Sequence, residues 1–294
     1  MKLSKLEDTL RDLLEKGYGR KRIAEELGLT EWQARHLLDE HKKRHPLPIT
    51  KEMYVVACGD FHVPFHDRMA LDILLNYLRH SPPDKVILLG DIVDFYQISR
   101  FLKDPGRQAE LQNDLDTTVS VLREIREAVP DSEIIFIEGN HSYRLTKYLW
   151  RSAPELYSLK ILSLPYVLQL PELGIALVPY GNEYKIGNVS FLHGNLARKR
   201  AGYTAHAVME ALGTNVVIGH MHRLAVVHRT AGDDVFTGIE AGCLCNLDQP
   251  YTYTRPDWQH GFVTLHFVDG GDWSYQIHRI QNRRLVTDYG IFSA

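Results

Sequence analysis

Five strand-sized apolar runs in this chain each stop at a cluster of Asp, Asn or His, and few folds accommodate that repetition. Val55-Val56-Ala57-Cys58 leads into Gly59-Asp60-Phe61-His62, and Lys85 to Leu89 leads into Gly90-Asp91-Ile92-Val93-Asp94. Glu133 to Ile137 ends in Glu138-Gly139-Asn140-His141, Val189 to Leu192 in His193, and Asn215 to Ile218 in Gly219-His220-Met221-His222. Apolar residues at helical spacing lie between the first three runs. Ala70, Ile73, Leu74, Tyr77 and Leu78 make one set; Leu111, Leu115, Val119, Leu122 and Ile125 make another that ends before Pro130. Strand, helix, strand, helix, strand calls for a largely parallel sheet with both faces covered. Ligands of such sheets sit beyond the carboxyl ends of the strands, which is where the polar clusters fall.

The later sequence is richer in strands. Arg144 to Trp150 continues as a helix, and Pro154, Pro165 and Pro171 punctuate the less regular segment after it. Glu183 to Ile186 and Val189 to Leu192, joined by Gly187-Asn188, read as a hairpin. Leu224 to Arg229, Val235 to Ile239, Phe262 to Val268 and Trp273 to Ile280 read as strands, and a second sheet packed on the first is the economical arrangement for them.

Residues 1–46 differ in character. Leu6, Leu10, Leu13 and Leu14 recur at helical spacing, Lys21 to Leu27 fits a short helix, and Gly28-Leu29 makes a sharp turn. Thr30 with Gln33 three residues later is a capping box for a helix through Leu38. Small Ala24, Gly28 at the turn, and Leu29, Ala34 and Leu37 on the inner face resemble a helix-turn-helix module. Residues 1–50 hold 11 Lys/Arg against 9 Asp/Glu, so this piece carries +2 while the whole chain carries -3. Arg20, Lys21, Arg22 and Arg35, with Lys42, Lys43 and Arg44, are the expected phosphate-facing cations if the module contacts DNA. A helical cap that docks on the main domain or on a protein partner is the other reading. Pro46 and Pro48 mark a linker over 47–53, and the catalytic domain is expected over 54–294.

The net charge excludes a uniformly basic nucleic-acid binder, and no apolar run is long enough to span a membrane. Charged residues come after Met1-Lys2-Leu3-Ser4 where a signal peptide would have an apolar core. Three cysteines, with Cys243 and Cys245 too close for an ordinary bridge, suit a reducing compartment. A cytoplasmic protein is expected.

The candidate donors are Asp60, His62, Asp91, Asn140, His193, His220 and His222. This is mixed nitrogen and oxygen ligation without sulfur, which suits manganese, iron, zinc, cobalt or nickel. Seven protein donors are too many for one catalytic ion with open positions, and they fit two ions sharing a carboxylate. His66, His206, His228, His260, His266 and His278 are expected as structural or surface residues, although His260 beside Trp258 is placed to line a cleft.

Asp60-Phe61-His62, Gly90-Asp91-Ile92-Val93-Asp94, Gly139-Asn140-His141, His193-Gly194 and Gly219-His220-Met221-His222 resemble, in order, the five motifs of the calcineurin-like metallophosphoesterases. The resemblance covers roughly residues 54 to 225 and implies two packed mixed β-sheets flanked by helices. It also implies two divalent ions, manganese first, with iron, zinc, nickel, cobalt or magnesium as alternatives. Asp60, His62 and His222 would hold one ion and Asn140, His193 and His220 the other, with Asp91 bridging. His141 would be the general acid, and Asp94 would hydrogen-bond its imidazole and keep it charged. The attacking group would be a hydroxide shared by the metals. Two positions depart from the family: Ser142 stands where an acidic residue is usual, and Phe95 stands where the protein phosphatases of the family carry Arg-Gly. A phosphoprotein phosphatase is therefore disfavoured, and Arg144 and Arg198 are the candidate replacements for the phosphate contact.

These readings together describe a phosphoesterase acting on phosphodiesters, with nucleic acid as substrate and DNA reached through the N-terminal module. The alternatives are a phosphatase of nucleotides, nucleic-acid ends or other monoesters, and a DNA-binding regulator with a vestigial site.

Overall fold

Residues 1–50 and 51–294 form separate compact units in a computed structural model that describes residues 9, 10, 12, 13, 16, 18–44, 52–103, 110–248, 256–268 and 271–294. Expectations for Leu6, Leu14, the linker residues 45–51 and the side chains of Lys42, Lys43 and Arg44 lie outside the described residues.

In the first unit, α1 (Arg20–Leu27) ends at Gly28, whose φ of 63° is left-handed. Gly28 N–H donates to Glu25 O at 3.2 Å and Leu29 N–H to Ala24 O at 2.8 Å, the paired bonds that satisfy a helix's last carbonyls. α2 (Glu31–Arg44) runs six residues past the expected Leu38. Its start is reciprocally capped: Gln33 N–H donates to Thr30 Oγ1 at 3.2 Å and Thr30 N–H to Gln33 Oε1 at 2.9 Å. Ile23, Ala24 and Ala34 are buried, and Ile23 packs with Leu10 and Leu13.

In the second unit, β1 (Met53–Cys58), α3 (Arg68–His80), β2 (Lys85–Leu88), α4 (Leu111–Ala128) and β3 (Glu133–Ile137) alternate as the sequence pattern predicts. α5 (Arg144–Ser152), α6 (Leu164–Val167) and β4 (Ile175–Val178) come next. After them lie β5 (Tyr184–Ile186), β6 (Val189–Leu192), α7 (Tyr203–Leu212) and β7 (Asn215–Ile218). The chain finishes with β8 (Leu224–Ala231), β9 (Asp234–Ala241), β10 (Gly261–Phe267), β11 (Trp273–Gln281), β12 (Arg284–Thr287) and β13 (Gly290–Ser293). Two mixed sheets result, ordered β13-β12-β11-β10-β1-β2-β3-β4 and β5-β6-β7-β9-β8. β1 to β4 are parallel, as are β6, β7 and β9. The expected hairpin is β5–β6, with Ile186 opposite Val189.

Successive strand residues serve two cores. Val55, Ala57, Ile87, Leu89, Ile135 and Ile137 face the second sheet and meet Phe191, Val217 and Ile239. Val56, Cys58, Val86, Leu88, Ile134 and Phe136 face the other way and meet Leu71, Leu74 and Tyr77 of α3 and Leu122 and Ile125 of α4. A strand buried on both faces reads as a continuous apolar run, which is why these runs show no alternation in the sequence.

The four late strands do not form one sheet, contrary to the sequence expectation. β8 and β9 join the second sheet, whereas β10 and β11 extend the first, with Val55 opposite Leu265 in the β1–β10 pair. β10 is apolar on both faces, Val263 and Leu265 toward the second sheet and Phe262 toward α3, so it covers the otherwise open edge of β1. The sequence pattern also leaves β4, α7 and the β12–β13 hairpin unassigned. Among the described residues no helix is long and apolar enough to cross a membrane.

Candidate metal centre

The seven predicted donors converge beyond the carboxyl ends of β1, β2, β3, β6 and β7, and the backbone that delivers them is strained. Asp60, His62, Asp91, His220 and His222 have φ between 49° and 70°. Left-handed backbone costs an L-residue roughly 1–2 kcal/mol, and it recurs at sites where the surrounding structure over-determines it. Here the tight turns aim side chains from successive strands at one point. Two glycines make the approach possible. A Cβ on Gly139 would run into the Asp91 carboxylate and lie 2.5 Å from Asp91 N, and one on Gly219 would lie 2.9 Å from Asp60 Oδ2.

Hydrogen bonds fix which atom of each donor faces inward. Asp60 Oδ2 accepts from His220 N–H at 2.8 Å and Asp91 Oδ1 from His141 N–H at 2.8 Å, so Asp60 Oδ1 and Asp91 Oδ2 are left facing the imidazoles. His193 Nδ1 donates to Leu89 O at 2.8 Å and His62 Nδ1 to Asp94 Oδ2 at 2.9 Å, which turns each Nε2 lone pair toward the centre. His222 Nδ1 donates to Cys245 Sγ at 3.8 Å with the same consequence.

The inward atoms fall into two groups. Asp60 Oδ1 lies 3.2 Å from His222 Nε2 and 3.8 Å from His62 Nε2, and the two Nε2 atoms are 3.1 Å apart. His193 Nε2 lies 3.0 Å from Asp91 Oδ2 and 3.0 Å from Asn140 Oδ1, and the Asp91, His193 and His220 donors sit within 4.8 Å of one another. Asp91 Oδ2 is also 4.0 Å from His62 Nε2, so this carboxylate stands between the groups. Asp60 Oδ1 is buried with no hydrogen-bond partner among the described residues. A buried carboxylate oxygen is costly unless a cation or donor meets it, and facing acceptor atoms about 3 Å apart repel unless something positive lies between them. The donor set therefore fits divalent metal: Asp60, His62 and His222 form one cluster that could hold an ion and Asp91, His193 and His220 another, while His62 and Asp91 also group with His141, and His222 with Cys243 and Cys245.

The buried carboxylates draw positive charge toward them. Burial opposes ionisation of Asp60, but His222 and His62 outweigh it and hold the carboxyl below its usual range. Asp91 is held down in the same way, against burial, by His193 and His141. His222 rises to about 9, burial being overcome by Asp60 and Cys245. His220 drops to about 4 through burial and the nearby His193.

Asp94 organises the side of the centre that faces solvent. Its Oδ2 accepts from both His62 Nδ1 and His141 Nδ1 at 2.9 Å, and its Oδ1 accepts from Arg144 Nη1 at 3.0 Å. Arg144 Nη2 donates to His141 Nε2 at 3.0 Å. A guanidinium can only donate, so Nε2 holds a lone pair and the His141 proton is on Nδ1. The expected bond from Asp94 to His141 is present, but the ring is arranged as a neutral imidazole rather than a charged one, and burial pushes its pKa down. His62, Asp91, His141, Arg144, His220 and His222 line a cavity of about 590 Å³.

Other predicted residues sit elsewhere. Arg198 is exposed between β6 and α7, and among the described residues only its backbone is engaged, with Thr204 Oγ1 and Arg223. Arg20, Lys21, Arg22 and Arg35 are exposed on the first unit; Arg20 pairs with Glu31 at 3.2 Å, and the Arg22 guanidinium covers the Tyr18 ring. His260 is held by Cys245 O at 2.7 Å, while Trp258 lines the cavity, 4.3 Å from the His222 ring. Ser142 is fully buried. Cys245 escaped sequence reasoning: the partner of His222 lies 23 residues away on a different loop, and only the fold brings them together.

The family model of the calcineurin-like phosphoesterases matches residues 53–232. The chain is 29% identical to the Gene 54 protein of Mycobacterium phage L5 over 229 residues, 74% of this chain and 89% of that one. It is 28% identical to the Gene 54 protein of Mycobacterium phage D29 over 247 residues, 80% and 96% of the two chains. Among solved structures it is similar to Vps29 of Entamoeba histolytica in complex with zinc, at 15% identity and a TM-score of 0.41, over 81% of this chain and 96% of that one. Vacuolar Protein Sorting 29 of Cryptosporidium parvum matches at 14% identity and a TM-score of 0.41, over 79% and 99%.

Proposed function

Because this chain belongs to the calcineurin-like phosphoesterase family, we propose that it is a two-metal phosphoesterase that hydrolyses phosphodiester bonds in nucleic acid. The observation that carries the reading is the pair of donor groups on either side of Asp91 Oδ2, opening onto a cavity that also presents His141 and Arg144. Asp60, His62 and His222 would hold one cation and Asn140, His193 and His220 the other, with Asp91 reaching both. Bound there, two divalent ions, manganese first, supply Lewis acidity and bring the pKa of water toward neutrality.

The chain's own groups divide the remaining work. Arg144 meets the non-reacting phosphate oxygens, for which a planar two-pronged cation is suited. In leaving His141 Nε2 for the substrate it frees that nitrogen to take up a proton from water and pass it to the departing oxygen. Asp94, bonded to His141 Nδ1, steadies the imidazolium that forms before transfer. The first unit supplies a second contact with DNA through Arg20, Lys21, Arg22 and Arg35.

A chromogenic phosphodiester assay with added manganese tests the reading. Wild type should turn over and Asp91→Ala should not; persistent activity in the variant would sink the proposal. Rapid hydrolysis of monoesters with intact nucleic acid would favour a phosphatase instead, and purified protein that takes up no metal would point to a vestigial site. Removing residues 1–46 should weaken cleavage of DNA without affecting the small diester.

A further inference from the structure

α5 begins at the metal centre and carries cations away from it. Arg144, Lys147, Tyr148 and Arg151 occupy positions i, i+3, i+4 and i+7, which share one helix face. From the first to the last the helix rises about 10 Å. With Arg100, Phe101 and Asn140 they line a groove of about 410 Å³. Arg144 and Phe101 line this groove and the metal cavity alike, so the two spaces adjoin.

The composition of the groove is selective. Among the described residues its lining has four cations and no carboxylate. Arg144 is held by Asp94, but Arg100, Lys147 and Arg151 are exposed and none pairs with a carboxylate among the described residues. Each of the three lies over an aromatic ring instead: Arg100 over Phe101 at 5.5 Å, Lys147 over Tyr143 at 4.9 Å and Arg151 over Tyr148 at 5.9 Å. Phe101 is 66% exposed and Tyr148 38%, so both rings are also open to a ligand. A hydrolase whose only substrate was a mononucleotide would need one cation beside the metals. A row of cations interleaved with accessible rings is the arrangement that tracks a phosphate backbone while stacking unpaired bases.

The geometry points to single-stranded nucleic acid as the substrate class. Its scissile phosphate sits at the metal centre, its adjoining phosphates run along Lys147, Arg151 and Arg100, and its bases lie against Phe101 and Tyr148. This inference rests on the proposed diesterase activity for its catalytic meaning, but the groove's binding can be read without catalysis.

The experiment uses the full chain. Fluorescence anisotropy with a labelled single-stranded oligonucleotide is measured on Asp91→Asn, and on Asp91→Asn carrying Lys147→Gln and Arg151→Gln, over a range of salt. Both proteins keep the same N-terminal unit, so the difference reports on α5. The added substitutions should weaken binding about tenfold or more and flatten the slope of log affinity against log salt by about 1.4, for two lost phosphate contacts on a single strand. In an otherwise wild-type chain the same two substitutions should leave turnover of a small chromogenic diester within about twofold and circular dichroism unchanged. Unchanged affinity and slope would overturn the inference, as would equal affinity for duplex or full competition by a mononucleotide. Absence of diester hydrolysis in wild type would count against the proposed activity and leave the binding result to be judged on its own.

Discussion

Asp94→Asn is the substitution that probes the organisation of the site most finely, because it keeps shape and removes one charge. Three groups depend on this carboxylate, which is 2% exposed: His62 and His141 at Oδ2, and Arg144 at Oδ1. An amide can accept at one end only. With its oxygen at the Oδ2 position it retains both imidazole bonds, but its NH₂ then confronts the Arg144 guanidinium, donor against donor, at a separation of 3.0 Å in the native pair. The imidazole bonds lose their charged acceptor, and charged bonds are roughly twice as strong as neutral ones. Loosening the partner of a metal-bound histidine typically lowers affinity or activity 10–100-fold, or about 1.4–2.7 kcal/mol. Weakening the imidazolium's support at His141 adds a fraction of the 10²–10⁴ that general-acid catalysis provides. kcat should therefore fall about 10²-fold on p-nitrophenyl diesters, whose leaving group needs little help, and at least about tenfold further on dinucleotides, whose alkoxide must be protonated. The assay is steady-state hydrolysis of both substrates at saturating manganese, with thermal unfolding to verify the fold. Equal losses on the two substrates would refute the general-acid role of His141, and a loss under twofold on both would refute the account of Asp94.

Individual contacts elsewhere in the domain can be tested in the same manner. Gly139→Ala places a methyl against the Asp91 carboxylate and backbone; it should cost about 1–3 kcal/mol of stability and weaken manganese binding, and a variant with native denaturation midpoint and native titration would contradict the packing argument. Cys245→Ala removes the acceptor of His222 Nδ1 and should weaken metal binding at one of the two sites by about 10–100-fold, with Cys245→Ser retaining more than Cys245→Ala by calorimetric titration; identical titrations would show the thiol to be mere packing. His278 is buried against Phe262 and bonded to Thr264 Oγ1 at 2.9 Å, and burial lowers its pKa to about 4. The unfolded chain binds this proton below about 6.5 and the folded chain only below about 4, so stability is full above the former and declines as pH falls toward the latter, by roughly 3 kcal/mol in all. Urea unfolding at pH 7 and pH 4.5 should show a smaller acid loss for His278→Gln than for wild type; equal losses would remove His278 as a cause.

Local chemistry made much of the fold and the donor set legible in the sequence. Asp60, His62, Asp91, Asn140, His193, His220 and His222 could be found because each ends a strand buried on both faces, and such strands are continuous apolar runs. The Thr30–Gln33 cap could be found because it needs only four adjacent residues. The features that stayed hidden depend on distant partners. β10 reads as a strand, but its choice of β1 over the second sheet is decided by which edge lies open once the rest has folded. β4 has four residues, too few for periodicity, and is a strand because β3 has a free edge. The neutral arrangement of His141 arises from Arg144 one helical turn on, whose guanidinium is tied to Asp94 fifty residues earlier in the chain.

The claim beneath all of this is that two cations share Asp91. A crystal grown with manganese and measured for anomalous scattering tests it most directly. Two peaks about 3.5–4 Å apart are predicted, one among Asp60, His62 and His222, the other among Asn140, His193 and His220, with Asp91 contacting both. A single peak, or peaks away from these side chains, would contradict the account.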